Sequence, residues 1–200
     1  MKPNQKGFLD LHAFPQTKMI HKDPPVYIIE NFLSHDECAH IIKISEPHVT
    51  VSHVVDEKTG QGIPHPSRTS HSYYHGYNLK WLVNRVYRLT GVPQSHQEPT
   101  QVARYHSGQF YQSHQDAFDN PGNTGQRIGT VLMYLNNVAN GGATYFNILD
   151  LRVQPKEGCA LVFFPSTMDG KQDRRYLHTA ENASDIKWVS QIWLRDKKYS

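Results

Sequence analysis

The chain has 200 residues, of which 38% are hydrophobic and 20% are charged, and its formal net charge is +3. This length and composition fit one globular domain with a core of its own. The lysines and arginines are scattered along the sequence and no apolar stretch reaches the length of a transmembrane helix, so we expect neither a nucleic-acid partner nor a membrane span.

The cysteines and the first residues bear on the cellular compartment. Cys38 falls in a helix-like segment and Cys159 in a strand-like one, which predicts two buried free thiols rather than a disulfide framework. The first residues lack the apolar core of a signal peptide. Both features favour a reducing compartment.

The N-terminal part is predicted as an arm followed by one domain. Residues 1–23 are polar and aperiodic and are followed by Pro24 and Pro25, which predicts a flexible arm. A single domain then covers residues 24–200, and it begins with a strand over residues 26–29.

Two helices come next. Ser34 and Glu37 have the spacing of a capping box, so they predict the start of a helix that Pro47 ends. A second amphipathic helix ends at Gly91. Its apolar stripe consists of Leu79, Leu82, Val83, Val86 and Leu89.

The segment between the helices and the part after residue 100 differ in pattern. Residues 56–66 are dense in Gly and Pro, which predicts a long mobile loop of the kind that serves as a lid. After residue 100 the pattern is typical of strands, at residues 101–106, 127–135, 143–146, 159–164 and 188–194. Helices first and strands afterwards indicate an α+β fold in which N-terminal helices buttress a rolled β-sheet sandwich.

His114 and Asp116 are separated by one residue, so on a strand they would point to the same face. Together with His178 they provide the two imidazoles and one carboxylate that hold non-haem Fe(II). The pattern His-x-Asp is weak by itself in a chain with 13 histidines, and it also occurs at His21 and Asp23, outside any strand-like run. The β-rich surroundings of His114 distinguish the two.

Lys187 lies nine positions after His178, in a run that alternates like a strand facing a closed interior. A buried lysine needs an anion. If the metal binds a 2-oxo acid, Lys187 is suited to pair with the distal carboxylate, and the hydroxyl of Tyr105 or Tyr134 could add a hydrogen bond.

Several motifs occur in a fixed order from about residue 26 to residue 195. They are Asn31–Ser34, Ser67–Ser70, Arg104–Asp116, Arg127–Asn136, Gly141–Phe146, Val153–Gly158, Ala160–Phe164, His178, Lys187–Trp188 and Trp193. This ordered set resembles the prolyl 4-hydroxylase family of Fe(II)/2-oxoglutarate-dependent dioxygenases, in the short catalytic form of viruses and bacteria.

The resemblance implies a double-stranded β-helix, or jelly-roll, core with Fe(II) bound by His114, Asp116 and His178. It also implies that Lys187 binds the C5 carboxylate of 2-oxoglutarate. Tyr105 or Tyr134, and Thr144, would assist. Dioxygen would be the second cosubstrate, the products would include succinate and CO₂, and ascorbate is expected as reductant.

Peptidyl proline, hydroxylated at C4, is the substrate that the resemblance implies. The positions that match the family's substrate contacts are Tyr111, Arg127, Trp193 and Arg68. Because no signal peptide is visible, we expect a cytoplasmic location in a bacterium or a virus-infected cell.

Three alternatives remain open from the sequence. A nucleic-acid demethylase on the same scaffold would need a basic groove lined with aromatic residues. Hydroxylation of a free amino acid or small molecule would need a closed pocket rather than an open groove. A non-enzymatic jelly-roll module would use the fold without iron.

Overall fold

The computed structural model describes residues 13–55, 61–167 and 169–199, which contain fourteen strands and two α-helices. The helices are α1 (His35–Ser45) and α2 (Lys80–Thr90). The strands are β1 (Thr17–Lys22), β2 (Pro25–Ile29), β3 (Thr50–Val51), β4 (His53–Val55), β5 (Gly62–Pro64), β6 (His71–Tyr74), β7 (Gln101–Tyr105), β8 (Tyr111–His114), β9 (Arg127–Tyr134), β10 (Thr144–Phe146), β11 (Leu151–Val153), β12 (Ala160–Phe163), β13 (His178–Ala180) and β14 (Lys187–Arg195). Among the helices described, none combines the length and the apolar character needed to span a membrane.

Helix α1 begins at the predicted capping box. The Glu37 backbone N–H donates to Ser34 Oγ at 3.2 Å, and the Ser34 N–H donates to Glu37 Oε2 at 2.9 Å. These two bonds satisfy donors that a helix start leaves without partners. Cys38 and Ile41 on the inner side of the helix are buried, so the predicted helix is confirmed.

Helix α2 ends at Gly91, whose φ of +67° is in the left-handed region that glycine adopts without strain. Its N–H donates to the Tyr87 carbonyl at 2.7 Å and closes the last turn. Arg85 binds Glu37 of α1 through two hydrogen bonds of 2.6 and 2.7 Å. The two helices are therefore linked by an ion pair, and the buried side chains of both belong to the same apolar core.

The strands form two main antiparallel sheets and a hairpin. The larger sheet has the order β1-β2-β12-β9-β14-β7-β6-β3, the smaller one β11-β10-β13-β8, and β4 pairs with β5. Phe146 of the smaller sheet packs edge-on against Phe163 of the larger one, with ring centroids 5.1 Å apart. The predicted jelly-roll core is confirmed.

Strand β14 is buried along almost its whole length because both of its faces are covered. Its residues Ile192 and Leu194 belong to the apolar cluster that also contains the buried side chains of both helices. Alternate residues, including Lys187 and Trp193, line a cavity between the two sheets. The helices thus support the larger sheet from outside while its inner face is left for a site.

Two predictions about irregular segments are wrong in part. The sequence predicts a flexible arm that includes residues 17–22, yet these residues form β1 and pair with β2 at the edge of the larger sheet. It also predicts a long loop that includes residues 62–64, yet these residues form β5 of the hairpin. Most of their side chains are exposed, so burial imposes no alternation that a sequence pattern could reveal. Residues 1–12 and 56–60 lie outside the described residues, and closure of a lid stays a prediction.

Candidate active site

The two candidate histidine ligands are brought together by the smaller sheet. His114 is the last residue of β8 and His178 the first of β13, and these residues are direct partners in the antiparallel pairing. Their ring centroids are 4.2 Å apart. A single residue pair of the antiparallel ladder therefore brings together two histidines that are more than sixty positions apart in the sequence.

Asp116 reaches the same place by a different route from the one predicted. It lies two residues beyond the end of β8, in a bend, so strand alternation does not orient it and that part of the prediction is wrong. Thr130 Oγ1 donates to Asp116 Oδ2 at 2.7 Å, and Asp116 Oδ1 lies 3.8 Å from His114 Nε2. One ligand atom from each of His114, Asp116 and His178 lies within 4.8 Å of the others.

The tautomers of both histidines follow from their backbone contacts. His114 Nδ1 is 2.8 Å from the Gln112 carbonyl, and His178 Nδ1 is 2.9 Å from the Tyr176 carbonyl. A carbonyl only accepts, so each Nδ1 donates and each Nε2 is left with a free lone pair. Two such nitrogens and one carboxylate oxygen fit the donor set of non-haem Fe(II).

Electrostatics keep these ligands in the forms that bind metal. Burial and the neighbouring His178 lower the pKa of His114 to about 3. Burial alone would raise the pKa of Asp116, but His178, His114, Arg127 and the hydrogen bond from Thr130 outweigh it and hold that pKa below its usual value. At neutral pH the site therefore offers a neutral imidazole and an ionised carboxylate, which a metal ion needs.

Lys187 lies in the same cavity as the histidines and is buried, with 1% of its surface exposed. Its Nζ donates to the Gly142 carbonyl at 2.7 Å and lies 5.0 Å from the centre of the Tyr105 ring. Among the described residues, no carboxylate forms an ion pair with it. Burial lowers its pKa to about 7, although Glu181 acts in the opposite direction.

The other predicted cosubstrate residues occupy different positions around this cavity. Tyr105 and Thr144 line it beside Lys187. Tyr134 stands behind Thr144, to whose Oγ1 its hydroxyl donates at 2.9 Å, and burial raises its pKa. Tyr105 thus lines the cavity directly, whereas Tyr134 contacts a residue that lines it. The roles of both tyrosines in binding the cosubstrate stay predictions.

Three of the four predicted substrate residues line the cavity: Arg68, Tyr111 and Trp193. The Tyr111 ring stacks on His114 with centroids 3.6 Å apart, and the Arg68 guanidinium lies 4.9 Å above the Tyr111 ring. A stacked layer of Arg68, Tyr111 and the candidate ligand His114 therefore forms one wall of the cavity.

Arg127, the fourth, does not line the cavity. Its Nε and Nη2 donate to the two oxygens of Glu98 at 2.6 and 2.8 Å, its guanidinium lies 3.7 Å from the Trp193 ring centre, and Nη1 is 3.4 Å from the Asp116 carbonyl. This geometry favours a role in holding Trp193 and Asp116. A direct contact of Arg127 with substrate stays a prediction.

Sequence reasoning missed several polar residues that organise the site. Thr130 and Glu98 are buried partners of Asp116 and Arg127. Gln101 Oε1 accepts hydrogen bonds from Arg68 and from Gln191, which lines the cavity. Strand alternation could have indicated Gln191, because it lies two and four positions from Val189 and Lys187 on the face of β14 that lines the cavity.

Comparison with known proteins agrees with this geometry. The 2OG-Fe(II) oxygenase superfamily matches residues 100–195, which include the candidate ligands and Lys187. Probable prolyl 4-hydroxylase 10 of Arabidopsis thaliana is 35% identical, and the alignment covers 91% of this chain and 72% of that protein. Prolyl 4-hydroxylase 1 of the same plant is 32% identical, with 92% and 73% covered.

Solved structures show the same fold. The viral collagen prolyl hydroxylase of Paramecium bursaria Chlorella virus-1, in complex with 2OG, superposes with a TM-score of 0.68 at 22% identity, covering 85% of this chain and 95% of that one. A prolyl hydroxylase from Trichoplax adhaerens, bound to a peptide fragment of hypoxia inducible factor, gives 0.63 at 21% identity, with 86% and 83% covered.

Proposed function

This chain belongs to the prolyl 4-hydroxylase family of the 2OG-Fe(II) oxygenase superfamily, and we propose that it hydroxylates proline within a peptide at C4. Membership implies Fe(II), 2-oxoglutarate and O₂ as reaction partners. The observation that carries the proposal is one cavity in which His114 and His178 meet a buried Lys187 that has no carboxylate partner among the described residues.

The chain supplies binding sites for both partners. His114, Asp116 and His178 would hold the metal. Bound Fe(II) supplies the redox chemistry that couples decarboxylation of 2-oxoglutarate to succinate and CO₂ with the transfer of one oxygen atom to the substrate. Lys187 would pair with the C5 carboxylate, which supplies the negative charge that its buried ammonium lacks.

The walls of the cavity support a peptide substrate. Tyr111 and Trp193 present aromatic surface to it, and proline rings pack well against such surface. The ring of Tyr111 contacts both Arg68 and His114, so these two contacts orient it before a peptide arrives. An oriented wall reduces the ordering cost of binding.

The proposal also includes the reductant and the cellular location. Ascorbate would serve as reductant and keep the bound iron in the Fe(II) state. The protein works in the cytoplasm of a bacterium or a virus-infected cell, which the free and buried state of Cys38 and Cys159 supports.

The proposal is tested by loading the protein with Fe(II) and 2-oxoglutarate without oxygen, then admitting air in the presence of proline-rich peptides. Succinate would be quantified and the peptides examined by mass spectrometry. We expect succinate formation that peptide stimulates and a gain of one oxygen on proline. The Asp116→Ala variant, which lacks the anionic ligand, is the matched control and should form none.

Other outcomes would point elsewhere. Succinate that free proline stimulates and peptides do not would move the activity to an amino-acid substrate. Succinate that no candidate stimulates would keep the oxygenase and reject proline. Absence of succinate from iron-loaded protein would favour a non-enzymatic module.

A further inference from the structure

The position of Asp116 raises the question of what orients the anionic metal ligand. His114 and His178 are fixed as partners in a β-ladder, whereas Asp116 lies in a bend after β8. A bend has no ladder that would fix the direction of a side chain. Some other contact has to keep this carboxylate aimed at the histidines.

Thr130 makes that contact. It lies in the middle of β9, is fully buried, and is paired with Phe163 on one side and Trp193 on the other. Its Oγ1 donates to Asp116 Oδ2 at 2.7 Å. Among the described residues, this is the only hydrogen bond that the Asp116 carboxylate accepts.

We propose that Thr130 is a positioning residue for the metal centre. By occupying Oδ2, its hydroxyl leaves Oδ1 as the oxygen on the side of His114 Nε2, 3.8 Å away. This inference rests on the proposed function, because it concerns the same ligand set. In this proposal, the neutral side chain of Thr130 orients Asp116, which is the only anionic residue of the ligand set.

The other tie on Asp116 does not replace this bond. Arg127 Nη1 reaches the backbone carbonyl of Asp116, at 3.4 Å, and so restrains the main chain but not the carboxylate. Rotation of the side chain is limited by Thr130. A hydrogen bond from a neutral donor to an ionised acceptor is one of the stronger kinds. Mutation of a residue that makes such a bond to a metal ligand typically lowers the metal affinity about 10–100-fold.

Substitutions at residue 130 separate the hydroxyl from the shape of the side chain. Thr130→Val keeps the β-branched shape that suits a buried strand and removes the donor. Thr130→Ser keeps the donor and removes the methyl group. Thr130→Ala is compared with Thr130→Ser, since these two differ only in the hydroxyl, and this pair serves if the valine variant does not fold.

The measurement is a titration of the metal-free proteins with Co(II), without 2-oxoglutarate, followed by the visible absorption of the bound ion. Circular dichroism of each metal-free protein checks the fold. We expect Thr130→Val to weaken Co(II) binding by roughly 10–100-fold and to change its absorption spectrum. Thr130→Ser should keep the wild-type spectrum and stay within about threefold of wild-type affinity, whereas Thr130→Ala should behave like the valine variant.

Equal affinity and spectrum for Thr130→Val and wild type would overturn the inference and leave the proposed function intact. The inference is likewise overturned if the serine variant is as weak as the alanine variant, because then packing and not the hydroxyl matters. If folded wild-type protein binds no Co(II), the ligand set itself is wrong. In that case the proposed function fails together with the inference.

Discussion

Two cations of the larger sheet, the largely buried Arg127 and the fully buried Lys187, differ in what neutralises them. Arg127 is held by both oxygens of Glu98 at 2.6 and 2.8 Å. Lys187 donates to an uncharged group, the Gly142 carbonyl. One cation therefore has its counter-charge within the chain, and the other forms no ion pair with any of the described residues.

The pKa shifts express the same difference. For Arg127, burial would lower the pKa, but Glu98 outweighs burial and raises it. For Lys187, burial dominates and lowers the pKa to about 7. Removing the partner of a buried cation is strongly destabilising, whereas a buried cation without a partner can be neutralised by an anion that comes from outside. The C5 carboxylate of 2-oxoglutarate is the anion that the family supplies.

The largest effect should come from breaking the paired site. Glu98→Gln leaves Arg127 and Arg195, which both bind Glu98, as buried cations without a carboxylate. We expect the free energy of unfolding of the metal-free protein to fall by about 3–5 kcal/mol in urea titrations. A loss below about 1 kcal/mol would show that Arg127 is not held by charge and would remove the basis of the comparison.

The unpaired site should respond in the opposite way. Lys187→Met removes a buried charge at similar size, so we expect equal or greater stability in urea. Affinity for 2-oxoglutarate, measured calorimetrically without oxygen on Mn(II)-loaded protein, should fall by about 1.5–3 kcal/mol. Co(II) binding serves as the control and should not change. Unaltered 2-oxoglutarate affinity would place another residue at the C5 carboxylate.

The pH dependence of stability sharpens this contrast. The pKa of Lys187 is about 7 in the folded chain and returns to the ordinary lysine value near 10.5 on unfolding. Between these two values the unfolded chain binds the extra proton, so the free energy of unfolding should rise with pH, by at most about 1.4 kcal/mol per pH unit. Urea titrations of metal-free protein from pH 7 to pH 10 measure this slope.

Lys187→Met is the matched control for the pH series. The contribution of this lysine to the slope should be missing in the variant, so the two curves should converge as the pH rises. Curves that stay parallel would mean that Lys187 keeps its proton in the folded protein.

The smallest effects concern the tyrosines beside Lys187. Tyr105 lines the cavity, whereas the Tyr134 hydroxyl is engaged with Thr144. We expect Tyr105→Phe to reduce 2-oxoglutarate affinity by about 0.5–1.5 kcal/mol and Tyr134→Phe to reduce it less. The same anaerobic calorimetry decides between them. A larger loss in Tyr134→Phe would reverse the order.

The elements that sequence predicted correctly are those with strong local signals. Helix α1 has its capping box and α2 has its apolar stripe and Gly91. Strand β12 is buried along its whole length and is a continuous apolar run, as expected for a strand that is covered on both faces. Strands β9 and β14 are also almost entirely buried, and most of their residues are apolar. Strand β1 and the β4–β5 hairpin were missed because exposed edges impose no such pattern.

The residues of the candidate site also fall into those that the sequence predicted and those that it missed. The sequence alone predicted the candidate site residues His114, Asp116, His178 and Lys187, because the chemistry of an iron site restricts which residue types serve and the ordered motifs select among thirteen histidines. The partners of these residues were beyond its reach. Glu98 and Thr130 are ordinary residue types with no signature, and each becomes informative only through the atom that it contacts.

The family, the jelly-roll fold and the candidate ligands could therefore be predicted from the sequence, since these depend on residue type and order along the chain. The tertiary structure decided how the ligands are aimed and which buried cation has a counter-charge. Asp116 lies beyond the end of its strand and accepts a hydrogen bond from Thr130. Glu98 forms its ion pair with Arg127 and not with Lys187. Such pairings are set by distances of a few ångströms between distant parts of the chain, and electrostatic and hydrogen-bond energies depend steeply on those distances.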